Sequence, residues 1–141
     1  MKSLYILLLP VAMLACNSRQ HKEPEDKLAA FINTAFPGDG PKNVIVIPGT
    51  GCGGCITGVE KEVVNLCRKG DVKVIFTGIR SLKILKSRIG DSVLHHKNVY
   101  VDQEDKFYKV TTDKQDLWPY PVRVTVDGDK LTGISKDNVL P

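Results

Sequence analysis

Nowhere does this chain hold the roughly 18 consecutive apolar residues that a membrane-spanning helix requires. Its longest apolar stretch, residues 4–15, is shorter and is interrupted by Pro10. Cysteine is scarce as well, at 4 in 141 residues. That excludes the disulfide-dense scaffold of very small secreted domains, so a hydrophobic core must hold the fold. Charge is nearly balanced, with 20 Lys and Arg against 16 Asp and Glu and a formal net charge of +4. So small an excess leaves no electrostatic footprint for a nucleic-acid partner. Internal repeats and low-complexity segments are absent too.

What is present begins with a targeting segment. Lys2 and the apolar residues 4–15 form the basic and apolar parts of a secretory signal. Met13-Leu14-Ala15-Cys16 follows the pattern of a bacterial lipobox, in which a small residue precedes a cysteine that is lipidated and becomes the new N-terminus. Residues 17–26 are polar and charged, include Pro24 and show no apolar periodicity, as in a flexible tether. The expected organisation is a signal peptide over residues 1–15, a lipidated N-terminus and tether over 16–26, and one domain over 27–141. Such a protein would be lipid-anchored in the bacterial cell envelope and face the periplasm. An ordinary signal peptide cut nearby, with Cys16 incidental, is the other reading. About 125 residues remain, enough for one domain with one core.

The domain reads as alternating strands and helices. A short helical stripe of Leu28, Phe31, Ile32 and Ala35 ends in the Pro- and Gly-rich residues 37–41. Within residues 42–47, Val44-Ile45-Val46-Ile47 is a continuous β-branched run, the mark of a strand buried on both faces. Ile56, Val59, Val63, Leu66 and Cys67 recur at helical spacing up to the stop signal Lys69-Gly70. Residues 72–76 form a second buried strand, and Leu82, Ile84, Leu85 and Ile89 a further helix closed by Gly90. A short strand over 98–101 and a short helix within 102–116 follow. Val122, Val124 and Val126 then alternate with polar residues, and Asp127-Gly128 turns the chain into a return strand over 130–134. The order predicts an α/β core whose last strands are antiparallel.

One motif carries chemistry. Cys52-Gly53-Gly54-Cys55 lies directly after the first strand and before a helix. Unpaired backbone N–H groups and the helix dipole at that position favour an anionic sulfur. The thiolate is the species that attacks disulfides, and a second thiol three residues on can resolve the mixed disulfide that results. A dithiol in this setting points to redox exchange.

The element order, with this motif at the first strand–helix junction and Pro121 just before the hairpin, resembles the thioredoxin fold. More narrowly it is similar to the lipid-anchored or periplasmic thiol-disulfide oxidoreductases of the TlpA/ResA type, over about residues 25–134. The resemblance implies a thioredoxin-like mixed sheet flanked by helices, with the C-terminal helix reduced or absent because only residues 135–141 follow the hairpin. It implies catalysis by Cys52, as the exposed attacking cysteine, and Cys55, as the more buried resolving one. Pro121 matches the family's cis-proline facing the dithiol, with Pro119 as a competitor. Tyr120 and Trp118 would help to shape the substrate-docking surface, although both could equally well simply pack. Protein thiols and disulfides are the implied partners, and neither a metal nor an organic cofactor is required. The family usually has an aromatic residue before the first cysteine, where this chain has Gly51, and often a proline between the thiols, where it has two glycines. A buried acid often found on the preceding strand is replaced by Val46.

Other readings compete for the same residues. Residues 49–54 also satisfy G-x-G-x-x-G, but residues 76–78 lack the acidic residue a dinucleotide site needs. Ile56 stands where a c-type haem motif has histidine. His95 and His96 could join the two cysteines in a copper or zinc site, or be ordinary loop histidines. Cys67 is a buried inert thiol or a third redox thiol. Glu60 and Glu62 are surface carboxylates or a proton acceptor near Cys55. Lys83, Lys86 and Arg88 read as a solvated basic face. A thioredoxin-like binding module whose disulfide is merely structural is the alternative to an enzyme, and a metal-carrying lipoprotein is the third reading.

Overall fold

The computed structural model describes residues 24–40, 42–70, 72–112 and 119–140. The signal peptide, Cys16, most of the tether and Trp118 lie outside the described residues. The first helix, α1 (Pro24–Ala35), starts within the expected tether. Proline suits this first helical position, where its missing N–H is no loss, and Glu25 and Asp26 follow in the first turn, where carboxylates suit the helix dipole.

A five-stranded mixed sheet forms the middle of the molecule. Its strands are β1 (Lys42–Pro48), β2 (Lys73–Thr77), β3 (Val99–Asp102), β4 (Val122–Asp127) and β5 (Lys130–Ser135). Their spatial order is β3-β2-β1-β4-β5. The β1–β2 and β2–β3 pairs are parallel, and β1–β4 and β4–β5 are antiparallel. The β-branched run of β1 occupies the centre because its residues can be buried on both faces. Val46 sits between Ile75 and Val122, and Ile45 between Val74 and Arg123.

Among the described residues four more helices complete the two outer layers: α2 (Gly53–Lys69), α3 (Leu82–Ile89), α4 (Asp91–Leu94) and α5 (Lys106–Val110). The period of two along each strand divides the core. Ile45, Ile47, Val74 and Phe76 pack with Ile56, Val63 and Leu66 of α2, Leu85 of α3 and Val93 of α4. Val44, Val46, Ile75, Val122 and Val124 pack on the other face with Leu28 and Ile32 of α1 and Phe107 of α5. Each such buried aliphatic side chain contributes about 1.5–3 kcal/mol relative to exposure. Helix ends fall where the sequence places stop signals: Gly70 adopts φ 86° and its N–H reaches the carbonyls of Leu66 and Cys67. Ser81 caps α3 by accepting from the Ile84 N–H.

Among the described residues no helix follows β5 and none is long and apolar enough to cross a membrane. The segment after β5 nevertheless covers part of the α2 face of the sheet. Val139 is buried in the α2-side cluster with Leu140 packed against it, and its carbonyl accepts from Arg123 Nε at 3.0 Å.

Candidate functional site

The site is built where the parallel strands end. From β1 the chain passes through residues 49–51 into α2, and this passage is pinned from beneath. The Gly49 N–H donates to the Thr77 carbonyl at 2.7 Å, and a Cβ on Gly49 would collide with the Gly78 carbonyl oxygen. Thr77 in turn donates its hydroxyl to the Asp102 carboxylate at 3.0 Å. Asp102, 1% exposed, also accepts the backbone N–H groups of Lys106 and Phe107 at 3.0 and 2.8 Å. These are donors that the first turn of a helix leaves unpaired, so Asp102 anchors α5 to the sheet. The Gly78 N–H donates to Asp105 Oδ1 at 3.1 Å. Asp102 was not singled out from sequence, although an Asp closing an apolar strand shortly before a helical segment is the pattern that would have found it.

Cys52 and Cys55 form a disulfide with a Cα–Cα distance of 5.3 Å, inside the usual range for such bonds. Cys52 is the N-cap of α2, in extended conformation, and its carbonyl accepts the first helical bond from the Ile56 N–H at 2.9 Å. The first turn of α2 holds no acidic side chain that would oppose a thiolate. The Cys52 N–H donates to the Pro119 carbonyl at 2.8 Å. Gly51 makes this contact possible, since it adopts φ 143° and a Cβ there would run into the Pro119 carbonyl group. An aromatic residue before the first cysteine is therefore sterically barred from this position.

The exposures of the two cysteines are the reverse of the expectation. Cys52 is half-buried and Cys55 is exposed. The cause is local: Cys52 is held against the segment at Pro119, while Cys55 follows two glycines and lies one turn before a third, Gly58. A Cβ at Gly53, Gly54 or Gly58 would meet no heavy atom within 4 Å.

A second correction concerns the prolines. No cis peptide bond occurs among the described residues, so the Tyr120–Pro121 bond is trans, the isomer that X–Pro bonds ordinarily favour. Pro121 is buried at the start of β4, and it is the competitor Pro119 whose backbone touches the dithiol loop. Tyr120 is 41% exposed, with the Lys136 ammonium 5.9 Å from its ring centre. Val46 is buried among apolar side chains of the α1 face.

Several of the remaining candidates are engaged in other pairs. Glu60 is buried and paired with Arg88 through both carboxylate oxygens, which ties α2 to α3, whereas Glu62 is exposed. Lys86 pairs with Asp91 at 2.7 Å, so the basic face of α3 is partly used in ion pairs. His95 Nδ1 lies 3.3 Å from Asp91 Oδ1, and His96 Nδ1 accepts the Asn98 N–H at 3.2 Å. Among the described residues no three His, Cys, Asp or Glu side chains come together as metal ligands.

Cys67 is buried in the core, and burial pushes its thiol up to about 11 from an ordinary 9.0. Burial likewise raises Tyr108, assisted by Asp105 and Asp102. Both groups are neutral when folded and ionise more readily once unfolded. Their contribution is therefore complete below the unfolded values and is lost as pH rises through the folded ones. Between about pH 9 and 11 the urea midpoint should fall steeply, and Cys67→Ala should make that fall shallower. An identical pH slope in the variant would remove Cys67 from this account.

Comparison with family models, curated proteins and solved structures finds no match to this chain.

Proposed function

We propose that this chain is a protein thiol-disulfide oxidoreductase, of thioredoxin-like fold and similar to the TlpA/ResA type, held in the bacterial envelope by a lipid on Cys16. The observation that carries the reading is the Cys52–Cys55 disulfide at the N-terminus of α2, with one of its cysteines open to solvent. Support comes also from its place at the first strand–helix junction of a mixed sheet with an antiparallel hairpin on one side. In the exchange, one partner thiolate breaks the Cys52–Cys55 bond and forms a mixed disulfide. A second partner thiolate then attacks the partner's own sulfur in that mixed disulfide. The partner dithiol becomes a disulfide, and Cys52 and Cys55 gain two electrons and two protons. The reverse sequence reduces a partner disulfide. Pro119 borders the reacting pair through its carbonyl, and the segment that continues through Tyr120 and Pro121 would contact the partner.

The purified protein, cycled with a small dithiol, should accelerate reduction of insulin disulfides at least about tenfold over the dithiol alone, and a Cys52→Ser/Cys55→Ser double variant should not. Equal rates for the two proteins would overturn the reading. They would favour a binding module whose disulfide is structural, for which the apolar Val46 in place of an acid speaks.

A further inference from the structure

The two sulfurs of a disulfide are chemically alike until the fold distinguishes them, and here it does so in an uncommon sense. Access to a disulfide is governed by the sulfur that is approached, and the speed of cleavage by the stability of the thiolate that leaves. Cys55 is the exposed member of the pair. Gly54 precedes it, and Gly58 lies one turn further along the same face of α2, where residues three apart are neighbours. A Cβ on either glycine would meet nothing within 4 Å beyond its own helix turn, so the helix surface on both sides of Cys55 is open. Cys52 is half-buried, with its N–H held by the Pro119 carbonyl. It is also the N-cap of α2, where free N–H groups and the helix dipole stabilise a departing thiolate.

We infer that a partner thiolate attacks Cys55 rather than Cys52, so that the mixed disulfide forms on Cys55 and Cys52 is the leaving and resolving thiolate. The inference rests on the exchange reading and assigns its sulfur roles. The partner's sulfur bonds to Cys55 Sγ, the Cys52–Cys55 bond breaks, and its electron pair departs on Cys52 Sγ. The partner's second thiolate then displaces Cys55 Sγ, which leaves with the electron pair of the mixed bond. One partner dithiol is oxidised and the protein disulfide is reduced. By reversibility, Cys52 closes the ring again by attacking Cys55 in the mixed species.

The bare surface around Cys55 matches a partner whose thiol sits on a polypeptide segment. Such a segment needs room for its backbone, whereas a small thiol does not. Filling that room should slow large thiols more than small ones.

The test uses the oxidised full chain and reduced glutathione, with acid quenching and tandem mass spectrometry of the peptide that holds both cysteines. Glutathione should be found on Cys55 in at least about tenfold excess over Cys52. In parallel, the disulfide of a Gly58→Leu variant should react about fivefold more slowly with reduced, unfolded ribonuclease but within twofold of wild type with glutathione, because the new side chain covers the approach to Cys55. Leucine is the better helix former, so the variant should fold. Adduct chiefly or equally on Cys52, or a Gly58→Leu variant with unchanged rates for both thiols, would overturn the assignment and leave the exchange reading intact. No adduct on either cysteine, together with no insulin reduction, would remove the exchange reading and the assignment with it.

Discussion

Asp102→Ala should lower the free energy of unfolding by about 3–4 kcal/mol, a large part of the whole for a domain of this size. The carboxylate is 1% exposed and accepts three hydrogen bonds, from the Thr77 hydroxyl and from the backbone N–H groups of Lys106 and Phe107. Alanine removes every acceptor at once and leaves those donors in a space that water does not reach. Each buried donor without a partner costs about 1–3 kcal/mol, and the cavity left by the carboxylate adds to that. Asp102→Asn keeps one carbonyl oxygen and should cost less than alanine, because only part of the donor set is orphaned. Urea denaturation monitored by circular dichroism measures both variants. A loss under about 1 kcal/mol for alanine would show that the network is solvated and does not hold the end of the sheet.

Gly51→Ala should cost about 2–4 kcal/mol, and it should also change the dithiol itself. At φ 143° an L-residue is strained wherever it stands, and here the added Cβ also strikes the Pro119 carbonyl. The segment carrying Pro119 must move away, which breaks the bond from the Cys52 N–H. Cys52 should then be more accessible, and in the reduced protein its alkylation should become several-fold faster relative to Cys55. Thermal unfolding and the ratio of labelled Cys52 to labelled Cys55 read the two effects separately. A stable variant with an unchanged labelling ratio would mean that Pro119 does not restrain Cys52.

These two positions also show where sequence reasoning stops. The central strand, the helix that follows the dithiol and the final hairpin were legible because each rests on a local pattern. Residues 44–47 are all β-branched and apolar, the α2 stripe repeats with the helical period, and Asp127-Gly128 suits a tight turn. The mixed five-stranded sheet follows from those pieces, while α4 went unseen because four residues carry too little periodicity. The dithiol was legible for the same reason, since its spacing and its place before a helix are local. Which cysteine is exposed was not, because it depends on a carbonyl at residue 119, distant along the chain. Gly51 looked like a missing family feature, yet the space for an aromatic side chain is taken by that same carbonyl. The cis isomer expected at Pro121 failed for a related reason. Proline identity restricts φ, but the isomer is selected by packing that the sequence does not display. Cys67, predicted as a buried inert thiol or a third redox thiol, sits in the core on the apolar stripe from which it was read.

The Cys52–Cys55 bond joins residues only three apart in sequence. A cross-link stabilises a fold chiefly by restricting the unfolded chain, and a ring this small restricts it little. By chain-entropy reasoning it is worth about 2 kcal/mol, against about 3 for a fifteen-residue ring and nearly 5 for one of a hundred residues. The two halves of the core, with their buried apolar side chains on both faces of the sheet, do not depend on it. Opening the ring therefore costs the fold about 2 kcal/mol, the small end of what a cross-link contributes, and the apolar core carries the rest in either oxidation state.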